Sequence, residues 1–165
     1  MIEIIRVATR ENIELVAQLA DEIWHEHYTR IIGAQQVEYM IEKFQSTEAI
    51  TRQTDSGELT YFLLFLNHHA EGYMAIQLRK NELFLSKLYV RASQRGRGLA
   101  KRAIEFVKGV AAENCIKRIS LTVNKENAIA TQAYERLGFK NEKAVVTDIG
   151  AGYVMDDYIM VLTLA

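Results

Sequence analysis

The sequence predicts an α/β layer structure. Short apolar runs of strand character alternate with longer stretches whose apolar residues recur every three or four positions. One of those runs, ending at Val90, passes through a turn rich in arginine and glycine directly into an amphipathic helical pattern. At 165 residues the chain fits one core, so residues 1–165 read as a single domain.

Ile2 to Ala8 alternates as a first strand, with Ile2, Ile4 and Val7 directed inward. Thr9 can cap the helix that follows, whose buried stripe is Ile13, Val16, Ala17, Ala20, Ile23 and Trp24. Gly33 interrupts the chain, and Val37, Met40, Ile41 and Phe44 suggest a second short helix. Gln53 to Gly57 reads as a loop, and the continuous apolar run Tyr61 to Leu66 suits a central strand. Asn67-His68-His69 marks a hairpin turn on the surface, and Glu71 to Gln77 is the next strand.

Leu83 to Val90 is a strand that feeds the glycine-rich turn. Leu99, Ala103, Phe106, Val107, Val110 and Ala111 form a helical stripe after it. Ile116 to Val123 alternates again, a helix runs from about Asn127 to Leu137, and Gly138 ends it. Phe139 to Thr147 and Tyr153 to Leu164 are the last strands, with a turn at Gly150 and Gly152. No repeat or linker divides the chain.

Composition narrows the function classes. Twenty Lys and Arg against twenty-one Asp and Glu give a net charge of -1, which supplies no general attraction to nucleic acid. Cys115 is the only cysteine, so neither an internal disulfide nor a thiolate metal cluster is available, and it reads as a packing residue near the end of the long helix. The N-terminal segment lacks the pattern of a secretory signal, and no apolar run approaches the ~18 residues of a membrane helix. A cytoplasmic protein with no membrane partner is the expectation.

In Arg95-Gly-Arg-Gly-Leu-Ala-Lys101, Gly96 and Gly98 allow close backbone approach, and Arg95 and Arg97 add charge and paired donors. The following helix start aims its unpaired N–H groups at the same place, which makes an anion site. A plain strand-to-helix turn is the competing reading. The segment is not a G-x-G-x-x-G dinucleotide fingerprint, because Lys101 stands where the third glycine belongs, and it is not a nucleotide-triphosphate loop.

Arg95, Gly98 and Ala100 fit a Q/R-x-x-G-x-G/A pattern, and Asn127, Ala130, Tyr134, Gly138 and Phe139 fit N-x-x-A-x-x-x-Y-x-x-x-G-F. With both motifs in place, the chain resembles the GNAT acyl-CoA N-acyltransferase superfamily over nearly its whole length. That resemblance implies a mixed central sheet of about seven strands flanked by about four helices. It implies acetyl-CoA as cosubstrate, with no metal. Leu88, Tyr89 and Val90 would offer main-chain groups to the pantetheine arm, and Arg95, Gly96, Arg97, Gly98, Leu99, Ala100 and Lys101 would hold the pyrophosphate. The strand near Ile119 would splay from its neighbour to admit the thioester.

Asn127 and Tyr134 are seven residues apart, so they can share a helix face over roughly 10 Å. The resemblance places both along the cofactor and Tyr134 near the thioester sulfur, where its phenol would protonate departing thiolate. Packing for Tyr134 and capping for Asn127 are the plain alternatives. No acyl-enzyme is required, so Cys115 is not a nucleophile.

Within the superfamily, Trp24-His-Glu-His-Tyr28, Leu83 to Val90 and Asp148 to Met160 are similar to PaiA-type polyamine N-acetyltransferases, which implies a small-molecule amine such as spermidine or spermine. Glu22 and Glu26, near the end of the first helix, are candidates to relay the amine proton. Trp24, His25, His27 and Tyr28 are candidates for an acceptor wall, and Asp156 and Asp157 for a second ammonium contact. Ordinary charged helix surface and turn chemistry compete for these acids. A protein or peptide acceptor, or a non-catalytic CoA-responsive module, are the alternative functions. The terminal strand pair offers an open edge through which a homodimer could form.

Overall fold

The computed structural model describes residues 1–165. Seven strands lie in the hydrogen-bonded order β1-β2-β3-β4-β5-β7-β6. They are β1 (Ile2–Arg6), β2 (Thr60–Leu66), β3 (His69–Leu78), β4 (Leu83–Val90), β5 (Arg118–Asn124), β6 (Lys140–Gly150) and β7 (Tyr153–Thr163). The helices are α1 (Arg10–Ile32), α2 (Ala34–Phe44), α3 (Thr47–Asp55), α4 (Leu99–Glu113) and α5 (Ala128–Arg136). The chain gathers into two compact units, Met1–Gln77 with Ser86–Glu105, and Leu78–Leu85 with Phe106–Ala165.

In the first unit, β1 runs antiparallel to β2, and β2 antiparallel to β3 with a shift between Leu64 and Phe65. Tyr61 to Leu64 are all buried, as the continuous apolar run requires. β1 is an edge strand, so Ile2 and Ile4 stay half-buried while Val7, just beyond it, is fully covered. Asn67 and His68 both take positive φ, 49° and 70°, which is the geometry of a tight two-residue hairpin, and His69 already belongs to β3.

α1 starts where expected, with Thr9 Oγ1 accepting the Asn12 amide at 3.1 Å, but it continues to Ile32. Glu22, His25, Glu26 and His27 therefore lie in its second half, at least one turn short of its end. Gly33, at φ 88°, stops it and admits α2. The helix α3 is an addition to the expected four. Ser46 Oγ caps it through the Ala49 amide at 3.2 Å, and Ala49 and Ile50 are wholly buried.

In the second unit β7 lies between β5 and β6, antiparallel to both. β6 is the edge and is mostly exposed. The parallel ladder between β4 and β5 contains two pairs, Leu83↔Ile119 and Phe84↔Ser120, so the main chain from Leu85 to Val90 has no partner in that ladder. Arg118 ties the unit together, its Nε on Glu82 at 2.8 Å and its two terminal nitrogens on Glu142 at 2.9 and 2.8 Å. Cys115 is not a packing residue: it sits exposed at φ 57° in the turn after α4. No helix is long and apolar enough to cross a membrane.

Candidate functional site

The first unit holds the strand, turn and helix start. After Val90 the chain makes a single 3-10 turn, Ala92–Gln94, closed by the Gln94 amide on the Arg91 carbonyl at 2.9 Å. Gly96 and Gly98 follow with φ of 78° and 86°, a region that disfavours any side chain bearing a Cβ. A Cβ added to either would have no atom within 4 Å, so the turn is open above both glycines. Arg95 and Arg97 are exposed. The first intrahelical bond of α4 is Arg102 N–H to Gly98 C=O at 2.9 Å, which leaves the amides of Leu99, Ala100 and Lys101 ahead of the ladder. Leu99 is 2% exposed, so its side chain anchors the helix and only its main chain faces outward. Open glycines, two arginines and a helix start together could hold an anion.

β4 is held closely from behind. The Arg91 amide donates to the Glu71 carbonyl at 2.8 Å, and Gly72 lets the Tyr89 and Val90 main chain approach. The Tyr89 side chain joins an aromatic cluster with Trp24 at 5.5 Å, Tyr73 at 5.5 Å and Tyr28 at 6.1 Å between ring centroids. Trp24 and Tyr28 stack at 4.3 Å and are 3% and 7% exposed. These two rings are largely interior, backing a surface rather than presenting one. Tyr73 donates to buried Gln45, and burial pushes its phenol well above the ordinary value.

The α1 carboxylates differ from one another. Glu22 accepts from Arg91 Nε at 2.5 Å, and Arg91 Nη1 also reaches Glu71 at 3.0 Å. That guanidinium already occupies one Glu22 oxygen. Glu26 lines a shallow depression with Ile23, His27, Arg30, Ala92 and Arg95. His25 binds the Asp21 carbonyl through Nδ1 at 2.7 Å and Glu38 of α2 through Nε2, and these contacts raise its pKa.

Lys87 carries no signal in the sequence, yet burial lowers its ammonium to about 8. Its Nζ lies 3.2 Å from Ser86 Oγ and 5.9 Å from the Tyr61 ring centre.

In the second unit, Asn127 is the cap of α5 and not a residue of its face. Its Oδ1 accepts the Ala130 amide at 3.3 Å and its carbonyl accepts Thr131 Oγ1 at 3.0 Å. Tyr134 lies in the body of α5, with its ring edge-on to Phe139 at 5.6 Å. Gly138 takes φ 101° after the helix, as the sequence predicts. On β7 the two acids separate: exposed Asp156 pairs with Lys125 Nζ at 2.8 Å, whereas Asp157 is 4% exposed and its Oδ1 has no hydrogen-bond partner. Burial, followed by the nearby Asp156 charge, raises Asp157 to about 6. No group of three or more His, Cys, Asp or Glu is arranged to hold a metal.

A mixed sheet with a glycine- and arginine-rich turn between a strand and a helix defines an α/β protein whose turn could hold an anion. The pattern of the acetyltransferase (GNAT) family matches residues 15–139, and the chain belongs to that family of acetyltransferases. A curated relative, the spermidine N(1)-acetyltransferase of Thermoplasma acidophilum, is 23% identical over 156 residues, covering 92% of this chain and 94% of its own. Among solved structures, the PaiA N-acetyltransferase of the same organism in complex with coenzyme A superposes with a TM-score of 0.82 at 22% identity, covering 99% of both chains. A GCN5-related N-acetyltransferase from Rhodopseudomonas palustris gives 0.81 at 14% identity, over 98% of this chain and 95% of that one.

Proposed function

We propose that this protein transfers the acetyl group of acetyl-CoA to a primary amine of a polyamine, spermidine or spermine, by direct attack in a ternary complex. The observation that carries the reading is the turn at Gly96 and Gly98, open on both glycines and flanked by Arg95, Arg97 and the first amides of α4. Pyrophosphate needs close backbone donors and positive charge, and residues 95–101 supply both. The main chain of Leu88, Tyr89 and Val90 is assigned to the pantetheine arm.

The chemistry needs a free amine lone pair, a polarised thioester carbonyl and a proton for the departing sulfur. The amine nitrogen bonds to the carbonyl carbon, the carbon–sulfur bond breaks, and Tyr134 gives its proton to the thiolate. The products are the N-acetyl amine and CoA thiol. A polycationic acceptor is favoured by the curated spermidine relative and by the exposed carboxylate of Glu26 on α1. Trp24, His25, His27 and Tyr28 form or back the acceptor surface on α1.

The test is mass-spectrometric detection of acetyl transfer across spermidine, spermine, diamines, aminoglycosides and short peptides. Acetylated polyamine with one equivalent of CoA supports the reading. Transfer only to peptide N-termini overturns the acceptor, and CoA binding without any acetylated amine overturns the activity.

A further inference from the structure

We propose that Asp157 is the group that takes the proton from the acceptor ammonium, a role that rests on the acetyl-transfer reading above. Most of the other acids placed near candidate positions are already engaged. Glu22 and Glu71 are held by Arg91, Glu38 by His25, Glu82 and Glu142 by Arg118, and Asp156 by Lys125. Asp157 alone among the carboxylates combines near-complete burial with an oxygen that no donor in the fold reaches.

Its surroundings explain why. β7 lies between β5 and β6, so Asp157 faces Asn124 on one side and Val145 on the other. The Asn124 Oδ1 is spent on the Glu126 amide at 2.8 Å, and Asn127 caps α5. Strand alternation turns Asp156 to the opposite face, where Lys125 pairs with it at 2.8 Å and offsets only part of what burial does to Asp157. The charges that act on Asp157 are those two side chains, Asp156 raising its carboxyl and Lys125 lowering it. A carboxylate so placed is matched to an N–H donor from outside the fold, an ammonium or a water bonded to one.

An acid at about 6 is mostly ionised at neutral pH and still basic enough to accept a proton. The balance is complete with groups already named. The ammonium passes one proton to Asp157, directly or through one water, and its freed lone pair forms the nitrogen–carbon bond. The second nitrogen proton offsets the one Tyr134 gives to the thiolate. Asp157 releases its proton to solvent after product leaves.

The experiment is the pH dependence of kcat/KM between pH 5 and 9, with whichever amine of the panel is acetylated, for the wild type, Asp157→Asn and Asp157→Glu. The wild type is expected to lose activity on the acid side with an inflection near 6. Asp157→Asn should lose that limb and fall by about 100-fold or more, with acetyl-CoA affinity retained. Asp157→Glu should restore an acid limb at an intermediate rate. A wild-type profile flat through this range, or Asp157→Asn within about threefold of the wild type with the same profile, overturns the role alone. No acetylated amine from the wild type overturns the acetyl-transfer reading itself.

Discussion

Gly72 lies against the main chain of Tyr89: a Cβ placed on Gly72 would stand 2.5 Å from the Tyr89 carbonyl oxygen and 3.3 Å from the Val90 Cα. Neither atom is the end of a flexible side chain, so a methyl group here has to move β4. Gly72→Ala is expected to destabilise the fold by about 1–3 kcal/mol, the usual range for forced backbone shifts. It should also weaken acetyl-CoA binding, because the displaced segment is the one assigned to the pantetheine arm. Thermal unfolding and calorimetric titration check both, and unchanged affinity would detach β4 from that assignment.

Arg91 closes the same region by joining β4 to α1 and β3. Glu71 is 8% exposed, so Arg91→Ala strands a carboxylate that solvent barely reaches. A loss of about 1–3 kcal/mol is expected, the desolvation penalty of an unsatisfied group. Adding Glu71→Gln should recover part of it in chemical denaturation. A double variant that is simply additive would show that the two side chains do not act as a pair.

At Gly98 two effects can be separated. Space for a Cβ is open, with no atom within 4 Å, but φ is 86°. Gly98→Ala is therefore expected to lose only about 1 kcal/mol of stability through backbone strain. Its effect on acetyl-CoA affinity should be larger, since the added methyl stands where a pyrophosphate would approach. Equal, small losses in both measurements would leave Gly98 as a plain turn residue.

Tyr134→Phe keeps the ring that meets Phe139 at 5.6 Å and removes only the hydroxyl. With the phenol as proton donor, kcat should fall about 100-fold or more while acetyl-CoA affinity changes little. Retained turnover would mean that the thiolate leaves without this proton.

The strand, turn and helix at residues 83–113 were legible because each carries its own signal: an apolar run, glycines that tolerate positive φ, and a helical stripe. α3 was not, because Ala49 and Ile50 are its only buried residues and Ser46 caps it without a carboxylate partner. Gly72 was silent for a different reason: close approach between strands depends on register, which no local pattern encodes. Asp157 was legible as an acid but not as a buried one, since its burial comes from β5 and β6 pairing on either side of β7. Cys115 misled because a cysteine at a helix end is commonly packed, and here the chain had already left the helix.

Asp157 also makes a prediction about stability that needs no substrate. Burial raises its carboxyl from the ordinary 3.8 to about 6, so the folded state holds a proton more tightly than the unfolded one. The contribution of the group is thus fully present below pH 3.8 and is lost as pH rises through 6, where the fold must carry a buried charge. Asp157→Asn is expected to be more stable than the wild type at pH 8, by at most about 3 kcal/mol. The gain should shrink toward zero as pH falls below 4. Urea unfolding at pH 4 and pH 8 measures the difference. A variant that gains stability at pH 8 while losing turnover would show that this carboxylate is kept in the fold for chemistry, since the fold is better off without its charge.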